Sequence, residues 1–203
     1  MDDKCPVILA SGSAIRRQLL ANAGVAFTIV PAEVDEAAIR AELTVESDCV
    51  DASHVASVLA RAKAEHVSRA NSGALVIGAD QILALGSRLF EKPENLTEAR
   101  DHLDRLRGRT HELHSAVVLA QDGQSIWGTV QSAQLTMRRF SDAFLDAYIA
   151  QAGARICSSV GAYELEGLGL QLFDTFSGDY FTILGLPMLP LLTELRARGV
   201  IQS

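Results

Sequence analysis

The chain has 203 residues, 48% of them hydrophobic and 21% charged, enough for one substantial α/β domain or two small lobes sharing a core. A net charge of −7 with no block of Lys or Arg argues against nucleic acid or an anionic membrane as partner, yet leaves room for a small anion held by a few local cations. No apolar run nears the roughly 20 residues that span a bilayer. The start "MDDKCPVILA" lacks a basic leader, and Cys5, Cys49 and Cys157 are too scattered for a disulfide framework or zinc site, so a cytoplasmic protein is expected.

In chain order, Pro6–Ala10 predicts a first buried strand and Ser13–Ala23 a helix capped by Ser13. Phe27–Ala32 predicts a second strand that ends at "PAEVDE"; Ala37–Asp51 is polar and carries no clear period. Val55, Val58, Leu59, Ala62 and Val67 have helical spacing from Ser53 to about Arg69. "ALVIGADQILAL" (Ala74–Leu85) is a β-branched apolar run typical of a central strand, turning at Gly86-Ser87 into an edge strand "RLFEKP". A helix over Thr97–Leu106 stops at Gly108, and a long hairpin follows with "QDGQ" at its turn. Ser141 caps a helix to about Ala152, Tyr163–Asp179 is strand-like with glycine breaks, and "LPMLPLLTELRARG" closes the chain as a helix ended by Gly199. The pattern predicts an α/β fold: a mixed, twisted sheet flanked by helices, with two lobes around a cleft.

Four features carry chemistry. The first is the corner "SGSAIRR", where a flexible turn leads into a helix and presents backbone N–H groups and two hydroxyls, Ser11 and Ser13, to an anion. Arg16 and Arg17 sit in the first turn, where the helix dipole disfavours cations by roughly 0.3–1 kcal/mol each, so a negative partner is expected nearby. The alternative is a plain turn with arginines in solvent. The second is "PAEVDE": in an extended segment Glu33 and Asp35 lie on one side and Glu36 on the other, three carboxylates able to hold Mg²⁺ or Mn²⁺ or to form a solvated acidic loop. The third is Asp80, a carboxylate beside an apolar strand, costly to bury unless paired or metal-bound. The fourth is the pair Lys63 and Lys92, point charges that could reach phosphate. His111 and His114 are three apart in a strand and face opposite ways, so they make poor co-ligands.

Taken together, "ILASGSAIRRQLL", "PAEVDE", "LARAKA", "IGADQI", "EKP", "LRGRTHELHSAV", "GAYELEGLGLQLF" and "GDYFTILGLPMLPL" resemble the Maf family in content and order, from Ile8 to Gly199. The resemblance implies a single Maf-like domain over 1–203, with a fold similar to that of the inosine triphosphate pyrophosphatases. It implies a cytoplasmic nucleoside triphosphate pyrophosphatase, often dimeric, that needs a divalent metal (Mg²⁺ or Mn²⁺) and releases a nucleoside monophosphate and pyrophosphate. A link to septum formation and cell-division arrest goes with it. By the same resemblance Ser11, Ser13, Arg16 and Arg17 bind phosphate, and Asp80 is the proton acceptor. Lys63 and Lys92 are catalytic. Glu36 and Asp80 hold the metal, with Glu33 and Asp35 as further carboxylates. Ile15, Gln81 and Glu166 occupy the positions that sort the family by base. Gln81 and Glu166 match the 7-methyl-GTP branch, whereas Ile15 replaces its tryptophan and offers no π face to a cationic ring. Ala14 stands where a proline is common and Glu91 where a glycine usually precedes Lys92-Pro93. The rival readings are a nucleotidyltransferase and a non-catalytic nucleotide-binding regulator of cell division.

Overall fold

The computed structural model describes residues 5–45 and 51–202; Cys49 and the last part of the polar stretch before Asp51 lie outside them. Seven strands form one mixed sheet. The central strand β3 (Leu75–Leu85) pairs in parallel with β1 (Val7–Leu9), which pairs in parallel with the two-residue β2 (Thr28–Ile29). On its other edge β3 runs antiparallel to β5 (Thr110–Gln121), and β5 to β6 (Gln124–Met137) across the tight turn Asp122-Gly123, both at positive φ. A last strand, β7 (Phe173–Ser177), closes the far edge.

One detail of the pairing creates the site. β1 accompanies β3 only as far as Ile77, and β4 (Arg88–Phe90) joins the same edge only from Leu83. Between them the edge of β3 at residues 78–82 has no neighbouring strand, and Asp80 sits in that gap.

The two faces of the sheet follow the period-two alternation of β3. Val76, Gly78, Asp80, Ile82 and Ala84 face α3 (Ala52–Arg69), whose Val55, Leu59, Ala60 and Ala64 complete an apolar layer. Gly78 lets this helix come very close: a Cβ there would lie 2.3 Å from the Ala60 carbonyl oxygen and 2.7 Å from the Ala64 Cβ. On the opposite face the core divides in two. One cluster gathers Leu75, Ile77 and Leu119 against α1 (Ala14–Asn22) and α7 (Met188–Ala197). The other gathers Leu83, Leu113 and Leu135 against α4 (Leu96–Leu106) and α5 (Asp142–Ala152). Between them lies a polar strip: Gln81 Nε2 donates to Ser115 Oγ (3.0 Å), and Ser115 Oγ donates to the Thr182 carbonyl (2.7 Å). The expected two lobes correspond to these two clusters.

Two expectations need correction, and one stretch that the sequence leaves unassigned gains a structure. The polar stretch after "PAEVDE" is helical, α2 (Glu36–Val45), because Asp35 Oδ1 accepts the N–H of Ala38 at 2.9 Å and starts the helix. The second strand is two residues long rather than six; Thr28 and Ile29 alone pair, and both are exposed. Strand geometry over Tyr163–Asp179 is confined to β7. The chain before it folds back on itself, with Gly169 so close to Glu164 that a Cβ would lie 2.6 Å from the Glu164 carbonyl oxygen. Elsewhere Ser13, Ser141 and Asn95 cap their helices through side-chain oxygens, as N-cap chemistry requires.

Candidate active site at the gap in the sheet

A cavity of about 950 Å³ opens over the gap. Its walls come from the β1–α1 corner, the start of α2, Lys63 on α3, Asp80 and Gln81 on β3, the loop after β4, and the segment Ser158–Glu166.

Asp80 is 5% exposed and Lys63 9%. Lys63 Nζ lies 2.6 Å from Asp80 Oδ1 and 2.8 Å from Glu36 Oε1, bridging two carboxylates. Glu36 Oε2 lies 3.3 Å from Arg40 Nη2, and Arg40 Nη1 lies 3.0 Å from Glu91 Oε1. Alternating charge thus runs from the exposed Glu91 to the buried Asp80. Burial alone would raise the Glu36 pKa, but the Lys63 hydrogen bond and the charges of Lys63, Arg40 and Lys92 together hold it below the usual carboxylate value. The other oxygen of Asp80, Oδ2, is buried and has no hydrogen-bond partner among the described residues. A buried carboxylate oxygen left unpaired is costly, which makes it the anomaly of the site.

Arg16 turns away from the N-terminus of its own helix and reaches across the gap. Its Nη1 donates to the Ala79 carbonyl at 2.8 Å and to Ser11 Oγ at 3.2 Å, and its Nε donates to the Gly185 carbonyl at 2.8 Å. The guanidinium therefore satisfies an edge carbonyl of β3 that lacks a strand partner. Desolvation lowers its pKa, against the opposing attraction of Asp80 and Glu36. Lys92 stands at the rim, its pKa lowered by desolvation and then by the like charges of Arg16 and Lys63.

Of the expected site residues, the structure brings Ser11, Ser13, Ile15, Arg16, Glu36, Lys63, Asp80, Gln81, Lys92 and Glu166 to this one cavity. It does not bring Glu33, Asp35 or Arg17. Glu33 and Asp35 are exposed, with Asp35 engaged as a helix cap, and Arg17 points outward one residue past Arg16. Sequence reasoning missed Arg40, Glu91 as its partner, and Glu164. Arg40 lies four residues after Glu36, a spacing that signals only once the helix is known.

The carboxylates suit a hard divalent cation. Asp80 and Glu36 lie on either side of Lys63, two carboxylates in one part of the cavity wall. Among the described residues no three His, Cys, Asp or Glu side chains converge into a closed cage. That is the donor set of an ion taking one or two protein carboxylates and filling its shell with phosphate and water.

Fold and site together define an α/β protein with an anion-ready cleft beside a buried carboxylate, set where a sheet edge is interrupted. The chain belongs to the Maf family: the Maf-like protein family matches residues 6–198. A Rhizobium meliloti (strain 1021) protein named 7-methyl-GTP pyrophosphatase is 50% identical over 197 residues, covering 97% of this chain and 98% of its own length. A Caulobacter vibrioides protein named nucleoside triphosphate pyrophosphatase is 54% identical over 196 residues, covering 97% of each. Among solved structures, a nucleoside-triphosphatase (dITP/XTP pyrophosphatase) from Mycobacterium abscessus aligns over 96% of this chain and 95% of its own, at 14% identity and a TM-score of 0.41. No helix among the described residues is long and apolar enough to cross a membrane.

Proposed function

We propose that the protein is a divalent-metal-dependent nucleoside triphosphate pyrophosphatase acting on 7-methyl-GTP or a related modified purine nucleotide. The observation that carries this reading is Asp80: one oxygen is held by Lys63, and the other is buried, unpartnered and in the wall of an anion-ready cavity. The names of both relatives support the reaction class, and the name 7-methyl-GTP pyrophosphatase of the 50% identical one supports the base.

In this reading the triphosphate lies between the Ser11–Ser13 corner and the Arg16, Lys63 and Lys92 side chains. Asp80 Oδ2 takes a proton from a water whose oxygen bonds to the α-phosphorus. The bridging bond between the α-phosphorus and the β-phosphate oxygen breaks, and pyrophosphate leaves with that oxygen. Lys63 fixes which Asp80 oxygen is available and meets phosphate charge as it moves outward. Glu36 and Asp80 would hold Mg²⁺ or Mn²⁺, Asp80 through Oδ1 so that Oδ2 stays the proton acceptor, and the ion would neutralise phosphate charge. Arg16, pinned by two backbone carbonyls, gives the phosphates a donor that does not need to be ordered on binding.

Pyrophosphate release from a panel of standard, methylated and deaminated triphosphates, with Mg²⁺ and Mn²⁺, tests the reading. Wild type is expected to release pyrophosphate, and Asp80→Asn to lose roughly 10³-fold or more in kcat while remaining folded. Near-normal turnover of Asp80→Asn would remove Asp80 from the chemistry.

A further inference from the structure

The cavity is electrically two-ended. All four cations in its wall, Arg16, Arg40, Lys63 and Lys92, belong to the end built by α1, α2, α3 and the loop after β4, where they outnumber the carboxylates Glu36, Asp80 and Glu91. The opposite wall, Ser158–Glu166, contributes two charged side chains, and both are carboxylates: Glu164 and Glu166. Neither carboxylate has a hydrogen bond or ion pair with any described residue, in contrast to Glu36, which has two cations. Glu164 is partly buried, and its backbone is tightly held: its carbonyl accepts the Gly167 N–H at 3.1 Å, and Gly169 packs against it without room for a Cβ. Its backbone position is therefore set by the fold, while its carboxylate lies beside Gly167 and its charge is felt by the Tyr148 hydroxyl.

Gln81 adds no donor at this end. Its Nε2 is committed to Ser115 Oγ, the Thr182 carbonyl (3.1 Å) and the Ile183 carbonyl (3.0 Å). Oε1 is the half of the amide left without a protein partner. The protein thus meets a base with acceptors and negative charge, beside the apolar side chain of Ile15. A ligand that is anionic at one end and positive at the other is complementary to such a cavity. Ile15 has no π face, and Tyr163, the aromatic side chain in this wall, is buried and engaged with His111 and Phe173, so charge is the handle left for a positive ring.

We propose that Glu164 is a specificity-determining residue that acts with Glu166 to select a positively charged base over its neutral counterpart. The proposal rests on the pyrophosphatase reading for its substrate and extends it to a residue outside the set that sorts the family by base. Glu164 lies in the wall opposite the cations and acts on ground-state binding of the ring. It therefore belongs to KM rather than kcat.

The test compares wild type and Glu164→Gln on 7-methyl-GTP and on GTP, in mild acid so that the methylated ring keeps its N1 proton and its charge. Calorimetric binding of 7-methyl-GMP is measured alongside. For Glu164→Gln the KM for 7-methyl-GTP is expected to rise about tenfold with kcat within twofold, and the KM for GTP to rise less than threefold. Binding of 7-methyl-GMP is expected to weaken by the same tenfold. Equal losses on both nucleotides would overturn selection by charge, and unchanged KM values would remove Glu164 from the site. A fall in kcat alone would place it in the chemistry instead. If wild type released no pyrophosphate yet bound 7-methyl-GMP in a Glu164-dependent way, the activity would fall and the binding role would stand. If it bound no 7-methyl-GMP, the binding role would fall. A matched thermal midpoint for the two proteins excludes misfolding as the cause.

Discussion

The two faces of β3 bury polar groups in different ways. Toward α3 the buried groups are charged: Asp80 and Lys63, set into an otherwise apolar layer and linked outward through Glu36 and Arg40. On the opposite face they are neutral: Gln81, Ser115 and Thr182 in the polar strip, and His111 deeper in the second cluster, 2.8 Å from the Tyr163 hydroxyl. The neutral strip is satisfied within itself, although His111 also leaves its Nδ1 buried without a hydrogen-bond partner among the described residues. The charged pair leaves Asp80 Oδ2 unpaired in the wall of the cavity, where an incoming ligand can relieve the cost. Damage to the α3 face should therefore reduce stability and turnover together, whereas damage to the other face away from Gln81 should reduce stability alone.

The largest effect is expected from Gly78→Ala. The new Cβ meets backbone of α3, which cannot swing aside as a side-chain tip would, so the helix has to lift. Overpacking of this kind costs about 3 kcal/mol. Because Lys63 rides on that helix, pyrophosphate release should fall with the urea midpoint; full activity in a destabilised protein would break the coupling.

A comparable but pH-gated loss is expected at His111. Burial brings its pKa down to about 4 from the ordinary 6.5, so the folded protein binds its proton later than the unfolded chain does. Stability is complete above pH 6.5 and declines as the pH falls toward 4, by at most about 3 kcal/mol. His111→Gln should flatten that part of the stability-against-pH curve and leave neutral-pH turnover unchanged. The smallest effect belongs to Ser115→Ala, with a loss of about 1 kcal/mol and activity within twofold, since Gln81 retains both carbonyl partners. A large activity loss there would show that the neutral strip also serves the site.

Much of this was legible in the residues. The order of elements follows from apolar period and turn chemistry, and Asp80 announces itself as a carboxylate in an apolar strand. The corner Ser11–Arg16 is readable as anion-binding because helix starts carry free N–H groups wherever they occur. What the local sequence hides is long-range or conditional. Arg16 looks misplaced at its helix start because its acceptors, the carbonyls of Ala79 and Gly185, are 63 and 169 residues away. Glu33, Asp35 and Glu36 look like equals in an extended segment, yet capping by Asp35 starts a helix at once and turns only Glu36 toward the cavity. Glu164 gave no signal because its neighbourhood reads as strand, whereas the chain doubles back around Gly169.

The bare stretch of β3 between its two partner strands has one more consequence. Arg16 closes that joint through Nη1 on the Ala79 carbonyl, and under the proposed function the same guanidinium would also meet phosphate. Architecture and chemistry share one side chain, so neither can be tuned alone. A designer wanting a sturdier scaffold with the same appetite for nucleotides would have to leave Arg16 untouched and build reinforcement elsewhere.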